Sequence, residues 1–256
     1  MAKIAVIGSG SYCTSLATVF SERNSVIVYS IEPDVVKDIN QKHSNSKYLK
    51  GIRLSQNISA TEDIAKISDS DIIIMAVPSS AVKPACASLK PKYKGQFVIS
   101  TSKGLSPEGK VMTDVIEEVL GCPSSKVLAL SGPSIAAELA AGKCTQVMLG
   151  GELSAARKAK LILETDTLLL KQTLDKKGIQ LLGFYKNILA ILAGISDGLE
   201  MGNNFKAALL AHAYHEFYYL NIGKNVARHT FVDVAGLGDL YVTAISEDSR
   251  NRRFGL

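Results

Sequence analysis

The chain has 256 residues, of which 46% are hydrophobic and 21% are charged, and its formal net charge is +5. This composition supports a large buried core and excludes a disordered protein, and the length allows two domains. The positive charge is small and spread out, so it suits an anionic small molecule and does not predict nucleic-acid binding. Cys13, Cys86, Cys122 and Cys144 lie far apart, which predicts reduced cytosolic thiols and neither a metal site nor a disulfide framework.

Short β-branched runs alternate with amphipathic stretches up to about residue 150. Several runs are almost continuously hydrophobic, as expected for parallel strands that are covered on both faces. The alternation predicts an α/β fold with a doubly wound sheet. The predicted strands are Ile4–Ile7, Val26–Tyr29, Asp71–Val77, Gln96–Ser100, Val127–Ser131 and Thr145–Leu149.

The second part of the chain lacks such runs and predicts an all-α domain. Leu181–Leu192 and Phe205–Leu220 have the composition of long helices, and we expect glycines to mark helix ends and connections, at Gly194, Gly198, Gly202 and Gly223. The predicted domains are residues 1–178 and residues 179–256. No secretory signal is evident, and polar residues interrupt the apolar stretch Leu181–Ala193, so a soluble protein without a membrane span is expected.

A glycine-rich turn follows the first predicted strand and opens a helix, at Gly8 and Gly10. In a dinucleotide site, the first glycine makes the tight turn and the second lets the pyrophosphate approach the helix N-terminus. Cys13 occupies the position of the usual third glycine, and because cysteine is small we expect a slightly wider helix–strand contact and a retained site. The alternative is a purely structural turn.

The end of the second predicted strand bears on the choice of cofactor. Glu32 lies where an acid hydrogen-bonds the ribose 2′-hydroxyl, and its neighbour Ile31 provides no cation for a 2′-phosphate. This pattern predicts NAD over NADP, with NADP possible. The alternative is that Glu32 faces solvent near the turn at Pro33.

Two lysines occupy unusual positions. Lys103 follows a predicted strand, and Lys186 lies within an otherwise apolar helix, where a charged side chain is costly unless it is paired. A snorkelling lysine at a domain boundary is the alternative for Lys186.

A polar segment near the end of the chain suits the binding of a phosphorylated alcohol. It combines a carboxylate, hydroxyls, guanidinium groups and an amide, in Asp239, Thr243 and Ser249–Arg253. The alternative is a solvated basic helix start.

Motifs along almost the whole chain carry a resemblance to a known family. They are Gly8-Ser9-Gly10-Ser11, Tyr48-Leu49-Lys50-Gly51, Ala76-Val77-Pro78-Ser79, Ser102-Lys103-Gly104-Leu105, Gly132-Pro133-Ser134-x-Ala136-x-Glu138, Lys186-Asn187, Asn204-x-Lys206-Ala207-Ala208-Leu209, Gly238-Asp239-Leu240 and Ser249-Arg250-Asn251-Arg252-Arg253-Phe254-Gly255. In these motifs and their order, the chain resembles the bacterial type of NAD(P)-dependent glycerol-3-phosphate dehydrogenase. The resemblance implies a Rossmann-type sheet followed by an all-α domain. It also implies a cytoplasmic homodimer that interconverts sn-glycerol 3-phosphate and dihydroxyacetone phosphate, feeding glycerophospholipid synthesis.

Residue by residue, the resemblance extends the predicted site. Together with the glycine turn and Glu32, the cofactor would contact Ser11, Tyr12, Lys103, Ala136 and Arg250. The substrate would contact Lys103, Gly132, Ser134, Ser249, Arg250 and Asn251. Lys186 would be the proton acceptor, with Asp239 beside it. Thr243 and Asn187 are expected to orient the Lys186 ammonium within the substrate site. Burial and the Lys103 charge would lower the pKa of Lys186, and Asp239 would raise it.

The chain also departs from the family pattern. Ala211-His212-Ala213 replaces a usual Thr-Arg-Gly, and we interpret His212 as a structural helix residue. Family members continue for several helices beyond the position of Leu256, so we expect either further chain or a partner subunit to cover the helical domain.

Two rival functions stay open at this stage. Ketopantoate reductases and 6-phosphogluconate-type dehydrogenases also join a nucleotide-binding sheet to helices and use a lysine, although the Gly-Pro-Ser and Ser-Arg-Asn-Arg-Arg segments are not theirs. The other rival is a nucleotide-binding sensor or scaffold without catalysis, which the altered third glycine would favour.

Overall fold

A computed structural model of the chain describes residues 1–223, 225–246 and 249–256. Within these residues, eight strands form a single sheet in the order β3-β2-β1-β4-β5-β6-β7-β8. The strands are β1 Lys3–Ile7, β2 Ser25–Tyr29, β3 Ile58–Thr61, β4 Ile72–Met75, β5 Phe97–Ser100, β6 Val127–Ser131, β7 Thr145–Gly150 and β8 Leu168–Thr173.

The first six strands are parallel, and β1 lies in the middle, paired with both β2 and β4. The chain reverses direction at β7, which is antiparallel to β6, and β8 then runs parallel to β7. All six predicted strands are confirmed with ends shifted by a residue or two. Two strands, β3 and β8, were not predicted. The first is short and half polar, and the second carries Lys171 and Gln172, so neither has the continuous apolar pattern of a buried strand.

Helices cover both faces of the sheet. They are α1 Ser11–Phe20, α2 Pro33–Lys42, α3 Ser79–Leu89, α4 Met112–Leu120, α5 Ala136–Ala140 and α6 Leu153–Leu163. Alternate residues of β1 point to opposite sides, so Ile4 and Val6 pack with α1, α2 and α6, while Ala5 and Ile7 pack with α3 and α4. The predicted doubly wound sheet is therefore confirmed.

The rest of the chain is helical, as predicted. It contains α7 Lys176–Gly198, α8 Gly202–Asn221, α9 Arg228–Phe231, α10 Asp239–Ile245 and α11 Arg250–Gly255, with a π-helical turn at Val234–Gly238. The first turns of α7 rest on the sheet, where Ile179 packs with Ala129 and Met148. This contact seats the first turns of α7 on the β6–β7 part of the sheet, and Gly183 then lies against Ser131 at the carboxyl end of β6.

The helix α7 is longer than the sequence predicted. Its glycine at position 194 lies inside the helix, so the expectation that Gly194 marks a helix end is wrong. A side chain at Gly194 would come within 2.0 Å of the Arg252 carbonyl oxygen, which shows that the glycine permits close packing of α11.

Within the described part of the chain, α7 has the length and hydropathy of a membrane-crossing helix, whereas the apolar stretch Leu181–Ala193 alone is too short. Half of its most apolar window is buried inside the protein, as in the central helix of a helical core.

Candidate active site

The glycine turn lies at the carboxyl end of β1. Gly8 has φ +116°, and a side chain there would come within 2.9 Å of the Cys13 sulfur and 3.0 Å of the Ala76 carbonyl oxygen, so only glycine fits. Gly10 is the N-cap residue of α1 and has open space where a side chain would project. A phosphate group could therefore approach the first N–H groups of α1, as the sequence predicted.

Cys13 fills the gap between α1 and the end of β4. Its thiol is buried and donates a hydrogen bond to the Ala76 carbonyl oxygen at 2.8 Å. Burial raises the pKa of Cys13 to about 11, so the thiol stays neutral and acts as a packing group.

Glu32 is the N-cap residue of α2, and its carboxylate bonds neighbouring side chains. It accepts a hydrogen bond from the Tyr48 hydroxyl at 2.9 Å and pairs with the Lys47 ammonium. The hydrogen bond from Lys47 holds the pKa of Glu32 below its usual range. Ser11 contacts the same segment, since its hydroxyl donates a hydrogen bond to the Tyr48 carbonyl oxygen. Lys47 and Tyr48 were not predicted as site residues, although Tyr48 lies in one of the matching motifs.

A buried carboxylate between two lysines forms the centre of the site. Asp239, the first residue of α10, is 1% exposed. One of its oxygens accepts a hydrogen bond from Lys103 at 2.8 Å, and the other pairs with Lys186 of α7. The three predicted residues therefore meet, although 136 positions separate Lys103 from Asp239. Lys186 is paired and mostly buried, so it is not a solvent-reaching lysine.

The two lysines titrate differently in this arrangement. Burial, reinforced by the charge of Lys103, lowers the pKa of Lys186 to about 7, against the opposing effect of Asp239. Burial is the largest single effect on Lys103 and acts to lower its pKa, but the charge and hydrogen bond of Asp239, together with Tyr12 and Lys186, raise the pKa above its ordinary value. Lys186 can therefore gain or lose a proton near neutral pH, while Lys103 remains an ammonium.

The loop after β6 faces the same centre. Gly132 has φ +148°, and a side chain there would come within 3.0 Å of the Val147 backbone. Ser134 donates a hydrogen bond to the Tyr12 hydroxyl at 3.1 Å, which links this loop to α1. The Ala136 carbonyl oxygen accepts a hydrogen bond from Ser15 at 2.7 Å, a second link that the sequence did not predict. These contacts place the predicted cofactor and substrate residues on adjoining walls.

Gly183 lies one helical turn before Lys186. A side chain at this glycine would come within 2.8 Å of the Ser131 hydroxyl and 3.7 Å of the Lys103 stem. The position therefore allows α7 to pack directly against the end of β6 and against the stem of Lys103. Sequence reasoning did not single out Gly183, since nothing local marks a glycine inside a helix as a close-packing residue.

The predicted phosphate-binding segment lies on α7 next to Lys186. Ser249 caps α11 by accepting a hydrogen bond from the Arg252 N–H, and Asn251 donates to the Asn187 side-chain oxygen at 2.7 Å. Arg250 is exposed at the start of α11. Arg252 instead pairs with Asp197 on α7.

Thr243 and Asn187 make contacts other than those expected. The Thr243 hydroxyl donates to the Asp239 carbonyl oxygen one helical turn earlier, a common pattern for threonine in helices. Asn187 bonds Asn251, because adjacent helical residues point in different directions. Among the described contacts, neither side chain bonds Lys186, and Asp239 holds the ammonium.

Taken together, the strand order, the glycine turn at the end of β1 and the acid at the end of β2 define a Rossmann-type dinucleotide-binding protein. Two family models match the chain. The one described as NAD-dependent glycerol-3-phosphate dehydrogenase N-terminus covers residues 3–156, and the one for the C-terminus of the same enzyme covers residues 175–256. The chain belongs to the NAD-dependent glycerol-3-phosphate dehydrogenase family.

Individual proteins show the same similarity. The chain is 36% identical to a glycerol-3-phosphate dehydrogenase [NAD(P)+] of Nitratidesulfovibrio vulgaris (strain DP4), over 99% of this chain and 78% of that protein. It is also 36% identical to the enzyme of that name in Brachyspira hyodysenteriae, over 100% of this chain and 78% of that protein. The crystal structure of glycerol-3-phosphate dehydrogenase from Coxiella burnetii matches with a TM-score of 0.93 and 32% identity, covering 99% of this chain and 79% of that one.

Proposed function

We propose that this protein interconverts sn-glycerol 3-phosphate and dihydroxyacetone phosphate by hydride transfer with NAD(P), in the service of glycerophospholipid synthesis. The observation that carries the proposal is the buried Lys103–Asp239–Lys186 cluster beside the glycine turn, in a chain of this family. We further propose that residues 1–178 bind the cofactor and residues 179–256 supply the base. When bound, the nicotinamide supplies the hydride acceptor or donor.

The protein must also move one proton, and Lys186 is suited to this task. Its pKa of about 7 gives both the amine and the ammonium at neutral pH. In the oxidative direction, the amine takes the proton from the secondary hydroxyl. In the reductive direction, the ammonium returns it to the developing alkoxide. Asp239 keeps the side chain in place, and the Lys103 ammonium stabilises negative charge on the substrate oxygen.

The phosphate of the substrate would be held by the start of α11. Ser249, Arg250 and Asn251 offer a hydroxyl, a guanidinium and an amide, and the Asn251–Asn187 hydrogen bond holds this segment beside Lys186. Gly132 and Ser134 would form the opposite wall of the substrate site, with Thr243 and Asn187 at its edge. Ser11, Tyr12, Ala136 and Arg250 would contact the cofactor.

We also propose a cytoplasmic homodimer. Four unpaired thiols among the described residues fit a reducing compartment. Exposed apolar side chains on the helical part, at Phe205, Tyr219, Leu220 and Tyr241, fit a subunit contact. Light scattering coupled to size-exclusion chromatography measures the mass directly, and a monomeric mass would contradict the dimer.

The decisive assay measures NADH consumption with dihydroxyacetone phosphate, with ketopantoate and with no added substrate. Turnover on dihydroxyacetone phosphate alone is the expected result. Turnover on ketopantoate alone would support the rival reductase. Tight NADH binding without turnover on either substrate would support the sensor or scaffold, and would overturn the proposed activity.

A further inference from the structure

We propose that Lys47 is the residue that sets how strongly this protein discriminates between NADH and NADPH. The proposal rests on the proposed function, because it assumes that the glycine turn binds a nicotinamide dinucleotide. It differs from the expectation drawn from the sequence, in which the acid at the end of β2 acted alone and no cation was available for a 2′-phosphate.

The residues around Glu32 carry the argument. Lys47 comes from the segment that follows α2, and its ammonium pairs with the Glu32 carboxylate. The same ammonium lies 3.4 Å from an oxygen of Asp34, in the first turn of α2. The Tyr48 hydroxyl completes the group by donating to Glu32 at 2.9 Å. Lys47 is thus the basic partner of the acid that, in this fold, meets the ribose.

The charges around Glu32 determine which of the two dinucleotides this site prefers. Glu32 and Asp34 contribute two negative charges and Lys47 contributes one positive charge. The adenosine ribose of NADH presents a neutral 2′-hydroxyl, which can donate a hydrogen bond to Glu32. NADPH presents a phosphate close to doubly negative at the same carbon, and the two acids repel it. We therefore expect NADH to be preferred, with Lys47 limiting the penalty on NADPH.

Lys47 is free enough to change partners. Its side chain is 48% exposed, against 27% for Glu32, so the pair is held in a largely aqueous setting where an ion pair contributes little. The flexible four-carbon stem allows the ammonium to leave Glu32 and meet an incoming phosphate. The carboxylate then keeps its hydrogen bond from Tyr48.

Calorimetric titration of the full chain with NADH and with NADPH tests the proposal, and the readout is the ratio of the two dissociation constants. In Lys47→Ala, the preference for NADH should rise about tenfold, since the cation that meets the phosphate is lost. In Lys47→Arg, the ratio should stay near that of the unchanged protein. In Asp34→Asn, it should fall severalfold, because one repelling charge is removed.

A matched control removes a nearby lysine of the same charge. The control variant is Lys42→Ala. Lys42 lies at the end of α2, and its ammonium is 3.2 Å from an oxygen of Asp38 and does not pair with Glu32. An unchanged ratio in Lys47→Ala, or an equal change in Lys42→Ala, would overturn the proposal. If the unchanged protein bound neither dinucleotide, the proposed function would fail instead.

Discussion

The carboxylate of Asp239 pairs with both Lys103 and Lys186, and unequal burial gives these two lysines different pKa values. Lys186 is the more deeply buried of the pair, with 11% of its side chain exposed against 26% for Lys103. Removing an ammonium from water favours its neutral form, and a second cation nearby adds to that effect. The burial of Lys186 in the helical core thus provides a base near neutral pH.

Replacing the base should remove catalysis without removing the cofactor site. In Lys186→Ala, kcat should fall by about 10²–10⁴-fold, which is the usual contribution of a positioned proton-transfer group. The NADH dissociation constant should change little, because among the described contacts the Lys186 ammonium bonds Asp239 and not the residues of the glycine turn. Steady-state kinetics and NADH titration measure the two quantities.

Lys177→Ala is a suitable control for that experiment, since Lys177 is exposed in the first turn of the same helix. A Lys186→Ala variant that kept most of its kcat would exclude this lysine from the mechanism.

The activity should depend on pH in opposite ways in the two directions. Because the folded pKa of Lys186 is lowered to about 7, the amine needed for oxidation accumulates as the pH rises through that value. The kcat/KM for glycerol 3-phosphate should therefore rise through about pH 7. The kcat/KM for dihydroxyacetone phosphate should fall over the same interval, because reduction needs the ammonium. Initial rates in both directions measure the profiles, and pH-independent rates in both would contradict the assignment.

The packing of α11 against α7 positions the residues proposed to bind the substrate phosphate. The backbones of α7 and of α11 with the following Leu256 meet closely at Gly194, Gly198 and Gly255, each of which leaves no room for a side chain. The ion pair between Arg252 and Asp197 joins the same two helices. The glycines therefore let the start of α11 lie beside Asn187, where Arg250 and Asn251 would bind the substrate phosphate in the proposed site.

A methyl group at the helix contact should disturb substrate binding first. In Gly194→Ala, the new carbon would come within 2.0 Å of the Arg252 carbonyl oxygen, so α11 must move. We expect the KM for dihydroxyacetone phosphate to rise at least about tenfold, since small displacements of binding groups are costly. The NADH dissociation constant should change less.

Ile188→Ala on the same helix provides the control, because that side chain is 40% exposed. Equal effects of Gly194→Ala and Ile188→Ala on the KM would show that the α7–α11 contact does not position the substrate residues.

Across the whole molecule, Asp175 joins the sheet to the helical part. It lies between β8 and α7, and one oxygen caps α7 by accepting from the Gly178 N–H at 2.9 Å. The other oxygen accepts from the Ala227 N–H at 2.8 Å and from the Thr230 hydroxyl at 2.6 Å. One carboxylate therefore holds the start of α7 against the start of α9.

Removing that carboxylate should destabilise the fold. Asp175→Ala loses a helix cap and two further charge-assisted hydrogen bonds, so the free energy of unfolding should fall by about 2–3 kcal/mol. Urea unfolding followed by circular dichroism measures the loss. Asp69→Ala is the control, because Asp69 is 74% exposed in an ion pair with Lys94 and its removal should leave the free energy of unfolding almost unchanged. Similar unfolding midpoints for the two variants would contradict the role given to Asp175.

Much of the nucleotide-binding part could be predicted because its signals are local. The runs around Ile4–Ile7 and Val127–Ser131 are apolar enough to indicate buried strands, and the glycine turn needs no distant partner to be recognised. The reversal of direction at β7 was not predictable in the same way. Strand direction depends on which neighbour a strand pairs with, and an apolar run carries no record of its orientation.

The sequence by itself determined the kinds of groups available: a glycine turn on a strand, an acid after the second strand, and two lysines in apolar surroundings. Only the tertiary structure decided their partners. Asp239 lies between Lys103 and Lys186, Glu32 meets Lys47, and Asn187 meets Asn251. The physical reason is that burial and pairing set the pKa and direction of each group, and both depend on residues that folding brings from distant parts of the chain.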